Sequence, residues 1–375
     1  MGKIQSWPFQ RSVNTPPESA IEDSRITSNA GQNPVREVDK QPGFLRWLFL
    51  LVSLKVSWSP AVIAGEFWKI LTNIGKHREI LRLLKLRPFD EIVQNNPGFA
   101  FKYTVPNYLA RGLTVTERVS CFLHHYRRMH ATLPENVLRH ILRQGVTLYV
   151  VSNGVNSVSV TMGMPEQIGR LEGELSLDLQ VDGKDIFNLS FIIIPGWVVK
   201  SEVAEVLLVT RLQGTKGCKT QINLARKTLH DYSQRTLLLA ALQGIADALG
   251  IGEIEAVCAT NQRCYEGKYA AYLESCYDDF FAEVGMVKTA GFYSSPVPIE
   301  GKPLASIKGR NRTRARKRRA LRQQIRSACA SFLLGLADRA ADPTSFAGCS
   351  ASVPAAVESQ PSPVSCSPSK YTLTP

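Results

Sequence analysis

The chain is predicted to be an α+β protein, with helices first and then a mostly antiparallel sheet into which further helices are inserted. Three observations carry that prediction. Leu175, Leu177, Leu179 and Val181 alternate with polar residues, and Phe187, Leu189, Phe191 and Ile193 alternate on the return strand, the period-two pattern of a strand with one face buried. Asp182-Gly183 stands between the two runs, a pair suited to a tight hairpin because both central turn positions need positive φ. Helical spacing then appears both before residue 135 and after residue 218, so helices flank the meander.

Taken in order, residues 1–41 contain four prolines and read as a disordered arm. Residues 44–95 read as helical, with Trp47, Trp58, Phe67 and Trp68 available for packing. Thr114 and Glu117 form the capping-box pattern of a helix start, followed on one face by Val115, Val119, Phe122, Leu123, Tyr126 and Met129. After Pro134 the pattern turns to β: strands over 146–151 and 157–161 are split by Asn153-Gly154. The meander follows, and its third run, Val203 to Leu212, leads into the loop Gln213-Gly214-Thr215-Lys216-Gly217-Cys218. One helix is expected from Thr220 to His230 and a second from Arg235 to Leu249, stopped by Gly250. A short strand over 254–259, a helix from Tyr269 to Val284 ended by Gly285, and a last strand near Gly291-Phe292-Tyr293 complete the pattern. The expected division is a disordered arm over 1–41, a helical subdomain over 42–135, an α+β core over 136–330 that ends in a basic helix, and a disordered tail over 341–375, rich in Ser, Pro and Ala.

Composition narrows the function classes. With 44% apolar and 21% charged residues the body is that of a globular protein with a real core. Eight cysteines show no CxxC pair and no metal-ligand spacing, so reduced thiols in a cytoplasmic protein are expected. No secretory signal is seen at the N-terminus, and the apolar run Trp47 to Leu54 is far shorter than the roughly 20 residues a membrane helix needs. Lys308 to Arg326 carries ten basic residues and no acidic one, against a net charge of +13 for the whole chain. Any argument about anionic partners therefore concerns that segment.

The candidate site residues fall in two groups. In the first, Gln213, Gly214, Thr215, Gly217 and Cys218 join a strand end to a helix start, where backbone N–H groups can cradle a phosphate; the alternative is a turn that binds nothing. Cys218, beside a helix start, is either a thiol of lowered pKa or a buried small residue. Tyr277 is either a general acid or a helix tyrosine that packs its ring. In the second, Arg312, Arg314, Arg316, Lys317, Arg318, Arg319 and Arg322 would meet an anionic partner, nucleic acid or a membrane surface, or else form a solvated helix docked by the stripe Ala315, Ala320, Leu321 and Ile325. The segment has no aromatics for base stacking. His230 suits a helix C-terminus, and the neighbours His124 and His125 point to different helix faces, wrong for a shared metal.

Gly173-Glu174-Leu175-Ser176-Leu177, Leu212-Gln213-Gly214, Lys227 to Tyr232, Leu237 to Ile251, Asn261, Tyr277 to Phe280, Gly291-Phe292-Tyr293 and Lys317-Arg318-Arg319 together resemble the VirK/YbjX family of bacterial proteins, DUF535, over roughly residues 42–330. The resemblance implies a cytoplasmic protein associated with virulence and with the handling of surface proteins, so a surface-protein client and a station near the inner membrane are expectations. It implies no reaction. At the level of fold, the meander, glycine loop and following elements are similar to the GCN5-related N-acetyltransferases, whose loop pattern Arg211, Gly214 and Lys216 meet at two positions of three. That likeness implies acyl-CoA as a cofactor, held by the loop, with Tyr277 as acid and Asn261 beside it.

Overall fold

The computed structural model describes residues 60–165, 171–229, 232–300 and 303–340. The expected arm and tail, Trp47, Trp58 and His230 lie outside the described residues. Helices α1 (Pro60–Leu71), α2 (Ile74–Leu83), α3 (Phe89–Asn95), α4 (Val115–Thr132) and α5 (Glu135–Arg143) precede the first strand. The strands are β1 (Val146–Ser152), β2 (Ser157–Gly163), β3 (Leu175–Val181), β4 (Lys184–Pro195), β5 (Glu205–Gly214), β6 (Glu253–Val257), β7 (Val287–Thr289) and β8 (Phe292–Pro296). Between β5 and β6 run α6 (Lys219–Thr228) and α7 (Gln234–Leu249); α8 (Ala270–Leu273) and α9 (Asp279–Val284) follow β6, and α10 (Gly309–Ala340) ends the fold. The protein is α+β.

All eight strands form one sheet in the order β1-β2-β3-β4-β5-β6-β8-β7. Every neighbouring pair is antiparallel except β5 with β6, and a parallel pair needs a crossover, which α6 and α7 supply. The β3–β4 hairpin turns on Asp182 (φ 51°) and Gly183 (φ 77°), as its two-residue turn requires. Asn153 closes the β1–β2 turn by accepting the N–H groups of Val155 at 3.0 Å and Asn156 at 2.8 Å. The capping box opens α4 as expected: Thr114 Oγ1 accepts the Glu117 N–H, and Glu117 accepts the Thr114 N–H at 2.6 Å.

Three expectations are corrected. Strict alternation fails in β4, where every residue from Leu189 to Ile194 is buried. The strand is central and covered on both faces, with α4 packed along it and α7 on β3 and β4. The helix expected from Tyr269 to Val284 is broken by a π-helical turn, Glu274–Asp278, between α8 and α9. Near Gly291 there are two strands rather than one, β7 and β8 forming a hairpin at the sheet edge.

A buried carboxylate helps fix how the helices meet the sheet. Glu174, wholly buried, pairs with Lys102 Nζ at 2.6 Å and accepts hydrogen bonds from the hydroxyls of Tyr108 and Tyr126. Tyr126 also stacks edge-on in an aromatic cluster with Phe89, Phe99 and Phe122, whose centroids lie 4.8–5.5 Å apart. At the other side α10 lies along α7 so closely that a methyl group at Gly244 would overlap the Arg326 carbonyl and crowd Cys329. Ile325, Cys329 and Leu333 are the buried residues of that contact, whereas Ala320 faces out, so the docking stripe runs further along α10 than the sequence pattern indicates.

Candidate functional site

The two groups of candidate residues have different surroundings. Gly214 is the last residue of β5, opposite Phe187 of β4, and the Thr215 N–H donates to Ile186 O at 2.9 Å. Gly217 takes φ +83°, which a residue with a side chain reaches only with strain, and it turns the chain into α6. Cys218 is the N-cap residue of α6, buried, with its thiol directed at Asp185 O, 3.6 Å away. The loop is thus tied to the β4 edge of the hairpin, with Gly214, Thr215, Lys216 and Gly217 exposed.

Tyr277 lies in the π-helical turn, 1% exposed, and its hydroxyl accepts the Leu212 N–H at 3.2 Å. The parallel pairing of β5 with β6 reaches only Val209 and Ala256, so Leu212 lies beyond the point where the two strands part. Burial pushes the Tyr277 phenol above its ordinary range, against the opposing effect of the Leu212 N–H. Asn261 donates to Gly291 O at 3.1 Å and holds the β8 hairpin. Loop, Asn261 and Tyr277 therefore gather at the open end of β5. His124 and His125 separate as expected: one pairs with Glu205 at 3.0 Å, and the other is buried and accepts the Ile193 N–H. Burial lowers the His125 pKa to about 3, so it is neutral. Among the described residues no group of three His, Cys, Asp or Glu side chains is placed to hold a metal ion.

The basic residues of α10 divide by helix face. Arg316 and Lys317 are exposed on one side, and Arg312 turns back to donate to Ile307 O at 2.9 Å and Ala305 O at 3.3 Å. Arg314, Arg318, Arg319 and Arg322 are on the other side, where they line a cavity of about 460 Å³. Its opposite walls are the start of α7, with Tyr232, Ser233, Arg235 and Thr236, and the α9 face formed by Phe280, Glu283 and Val284; Ile307, Asn311 and Ala315 complete it. Arg235 is held in place, donating to Cys276 O at 3.0 Å with its guanidinium 4.9 Å from the centroid of the Phe280 ring. Among the described residues that line this space, five are arginines and one, Glu283, carries a carboxylate.

Sequence reading missed the cavity because three separate segments, 232–236, 280–284 and 307–322, build it. Tyr232, Arg235, Phe280 and Glu283 have no local signal of a site. A trace exists only in α10, where Asn311, Arg314, Ala315, Arg318 and Arg322 recur at helical spacing on one face.

No helix among the described residues is long and apolar enough to cross a membrane. No curated protein matches the chain significantly. Among solved structures, two variants of a cAMP-binding acyltransferase from Mycobacterium smegmatis align with TM-scores of 0.24 and 12% identity, covering 62% of this chain. The alignments cover 65% and 66% of those chains, less than two thirds of the enzyme's length. A score that low fixes no chemistry here. The family comparison is different in kind: the model for a protein of unknown function, DUF535, matches residues 67–331, well over half of the sequence that supplies the meander, the glycine loop and the basic helix. The chain belongs to the DUF535 family.

Proposed function

We propose that this protein works by binding, with the first half of α10 as the contact for a partner rich in phosphate. One observation carries the reading. Arg312, Arg314, Arg316, Lys317 and Arg318 are exposed on α10, Arg314 and Arg318 where they also line the cavity, and Lys308 is exposed just before the helix; the stretch from 308 to 326 has no acidic residue. No large apolar side chain is exposed along the same stretch. A membrane-inserting helix uses such anchors, whereas contact with a phosphate backbone does not. Arginine predominates, and its planar fork matches phosphate oxygens in pairs. A nucleic-acid backbone, read without regard to base sequence, is therefore the partner this helix fits best. The association with virulence and with surface proteins implied by the family resemblance is accommodated by a binding protein that has such a client.

The test is binding of the full chain to a short duplex across a salt series, beside vesicles of anionic lipid. Affinity should fall steeply with salt, as counterion release demands, and Arg316→Glu with Lys317→Glu should weaken it by about tenfold or more. Binding to vesicles alone would replace nucleic acid with the membrane surface. Unchanged affinity in the double variant would remove the helix from the reading.

A second reading, an acyl-CoA-dependent transferase, is favoured by the gathering of the 213–218 loop and Tyr277 at the open end of β5. It requires the buried phenol to be uncovered by the ligand. A rise in Tm with an acyl-CoA, lost in Gly214→Asp, would support it. At saturation 100 times Kd the stabilisation is about 2.7 kcal/mol.

A further inference from the structure

We infer that the outer face of α1 and α2 is a docking surface for an anionic lipid bilayer, with Trp68 and Leu71 entering the interface and Arg78, Arg82, Lys85 and Arg87 meeting the headgroups. The inner sides of both helices are committed to the fold. Ile70 is buried, Lys69 Nζ donates to Thr104 O at 3.0 Å, and His77, Ile80 and Leu83 are buried on α2. The outer side is different. Ala64, Trp68, Leu71, Gly75, Arg78 and Arg82 recur at alternating spacings of four and three residues, and every one of them is exposed. Only the turn at Thr72-Asn73 intervenes between the helices. There the Thr72 N–H donates to Trp68 O at 3.0 Å and the His77 N–H to Asn73 O at 2.9 Å, so the helical spacing carries from α1 into α2.

Two chemistries follow one another along this stripe. Trp68 is 67% exposed and Leu71 38%, and Leu86, just beyond α2, is 44% exposed. An apolar helix face that the fold leaves uncovered marks a contact for a partner or a membrane. The basic residues that come next, Arg78, Arg82, Lys85 and Arg87, are also exposed, while Glu79 is drawn away to Arg127 at 2.6 Å. Apolar anchors beside cations are what an anionic bilayer recognises. The ring of a tryptophan settles at headgroup depth, and each cation near the surface adds attraction. A second copy of the chain fits less well, since a symmetric contact brings the same patch against itself and sets these cations against one another. A nucleic-acid backbone offers nothing for Leu71 and Leu86 to bury against. The chain also enters α1 from the apolar run Trp47 to Leu54 and carries no acidic residue from 40 to 65, so the adjoining sequence has the same character.

The inference is independent of the reading of α10, whose first half has charge without apolar anchors. The full chain is co-sedimented with vesicles of phosphatidylcholine containing phosphatidylglycerol, and with vesicles of phosphatidylcholine alone. Binding to the mixed vesicles, and far weaker binding to the neutral ones, is expected. Trp68→Ala with Leu71→Ala should weaken it about tenfold or more, and Arg78→Gln with Arg82→Gln by a similar factor. Trp197→Ala, at an exposed tryptophan in the turn after β4, should leave it unchanged. Both losses should persist in a background of Arg316→Glu with Lys317→Glu, which separates this surface from α10. All the altered side chains are exposed, so the variants should unfold at the temperature of the parent. Four results would overturn the inference: no binding to the mixed vesicles, binding unchanged by either double variant, an equal loss in Trp197→Ala, or a dimer that Trp68→Ala dissociates while vesicles go unbound, which would assign the face to a second copy.

Discussion

Two buried polar regions of this protein are built in opposite ways. Around Glu174, beneath α4, a carboxylate meets an ammonium and two phenols, and each of these groups closes on another. Around Tyr232, between α7 and α10, a buried hydroxyl and the buried Arg322 Nε lie near one another without a well-formed hydrogen bond. Burial is similar in the two places; completeness differs. Closed networks of this kind hold helices on a sheet, because every polar group already has the contact that compensates its loss of water. A loosely matched pair leaves part of that cost uncompensated.

The comparison can be broken most forcefully at Glu174. Glu174→Ala leaves the Lys102 ammonium buried without its carboxylate, so a loss of about 3–5 kcal/mol is expected, read as a Tm lower by roughly 10 °C. A small change would mean that water reaches the network. Glu255 is the intermediate case: it is 2% exposed, one of its oxygens lacks a partner, and Glu253 lies beside it. Burial, aided by Glu253 and opposed by Ser294, raises its pKa to about 8. The folded state then keeps a proton that the unfolded chain releases above the ordinary value of 4.5. Stability should accordingly fall as pH rises from about 4.5 towards 8, with a slope of at most about 1.4 kcal/mol per pH unit. Glu255→Gln should flatten that part of the profile measured by urea unfolding.

Gly244→Ala tests the frame of the loosely matched region. The added methyl overlaps the Arg326 backbone, so α10 must shift away from α7, at a cost of about 1–3 kcal/mol in denaturant unfolding. The smallest effect is expected at the loosely matched pair itself. Tyr232→Phe removes a hydroxyl that is only loosely matched to Arg322, and stability should stay within about 0.5 kcal/mol of the parent. A loss well above that would show the hydroxyl to be structural, and the contrast between the two regions would disappear.

Local chemistry made much of the fold legible. Asp182-Gly183 announces its hairpin because few residues tolerate positive φ in succession, and Thr114 with Glu117 announces a helix start because their side chains satisfy backbone groups three residues away. Gly250 and Gly285 stop their helices in the left-handed region, φ 69° and 97°, for the same local reason. The π-helical turn at Tyr277 could not be read that way, since Glu274–Asp278 contains no proline or glycine to mark a break. Nor could the second face of β4: Ile192 and Ile194 are buried only because helices from distant parts of the chain cover both sides.

The sequence by itself determined the class of the fold, the positions of most turns and helix ends, and the concentration of charge between residues 308 and 326, since these depend on neighbours within a few residues. Tertiary structure alone decided which charges look outward and which surround a cavity. It also decided that Glu174 is fully answered, whereas Tyr232 has only a loosely matched Arg322 beside it. Whether a buried polar group finds its partner depends on residues 48 to 90 positions away, as the links from Glu174 to Lys102, Tyr108 and Tyr126 and the approach of Arg322 to Tyr232 show, and no local pattern records such a distance.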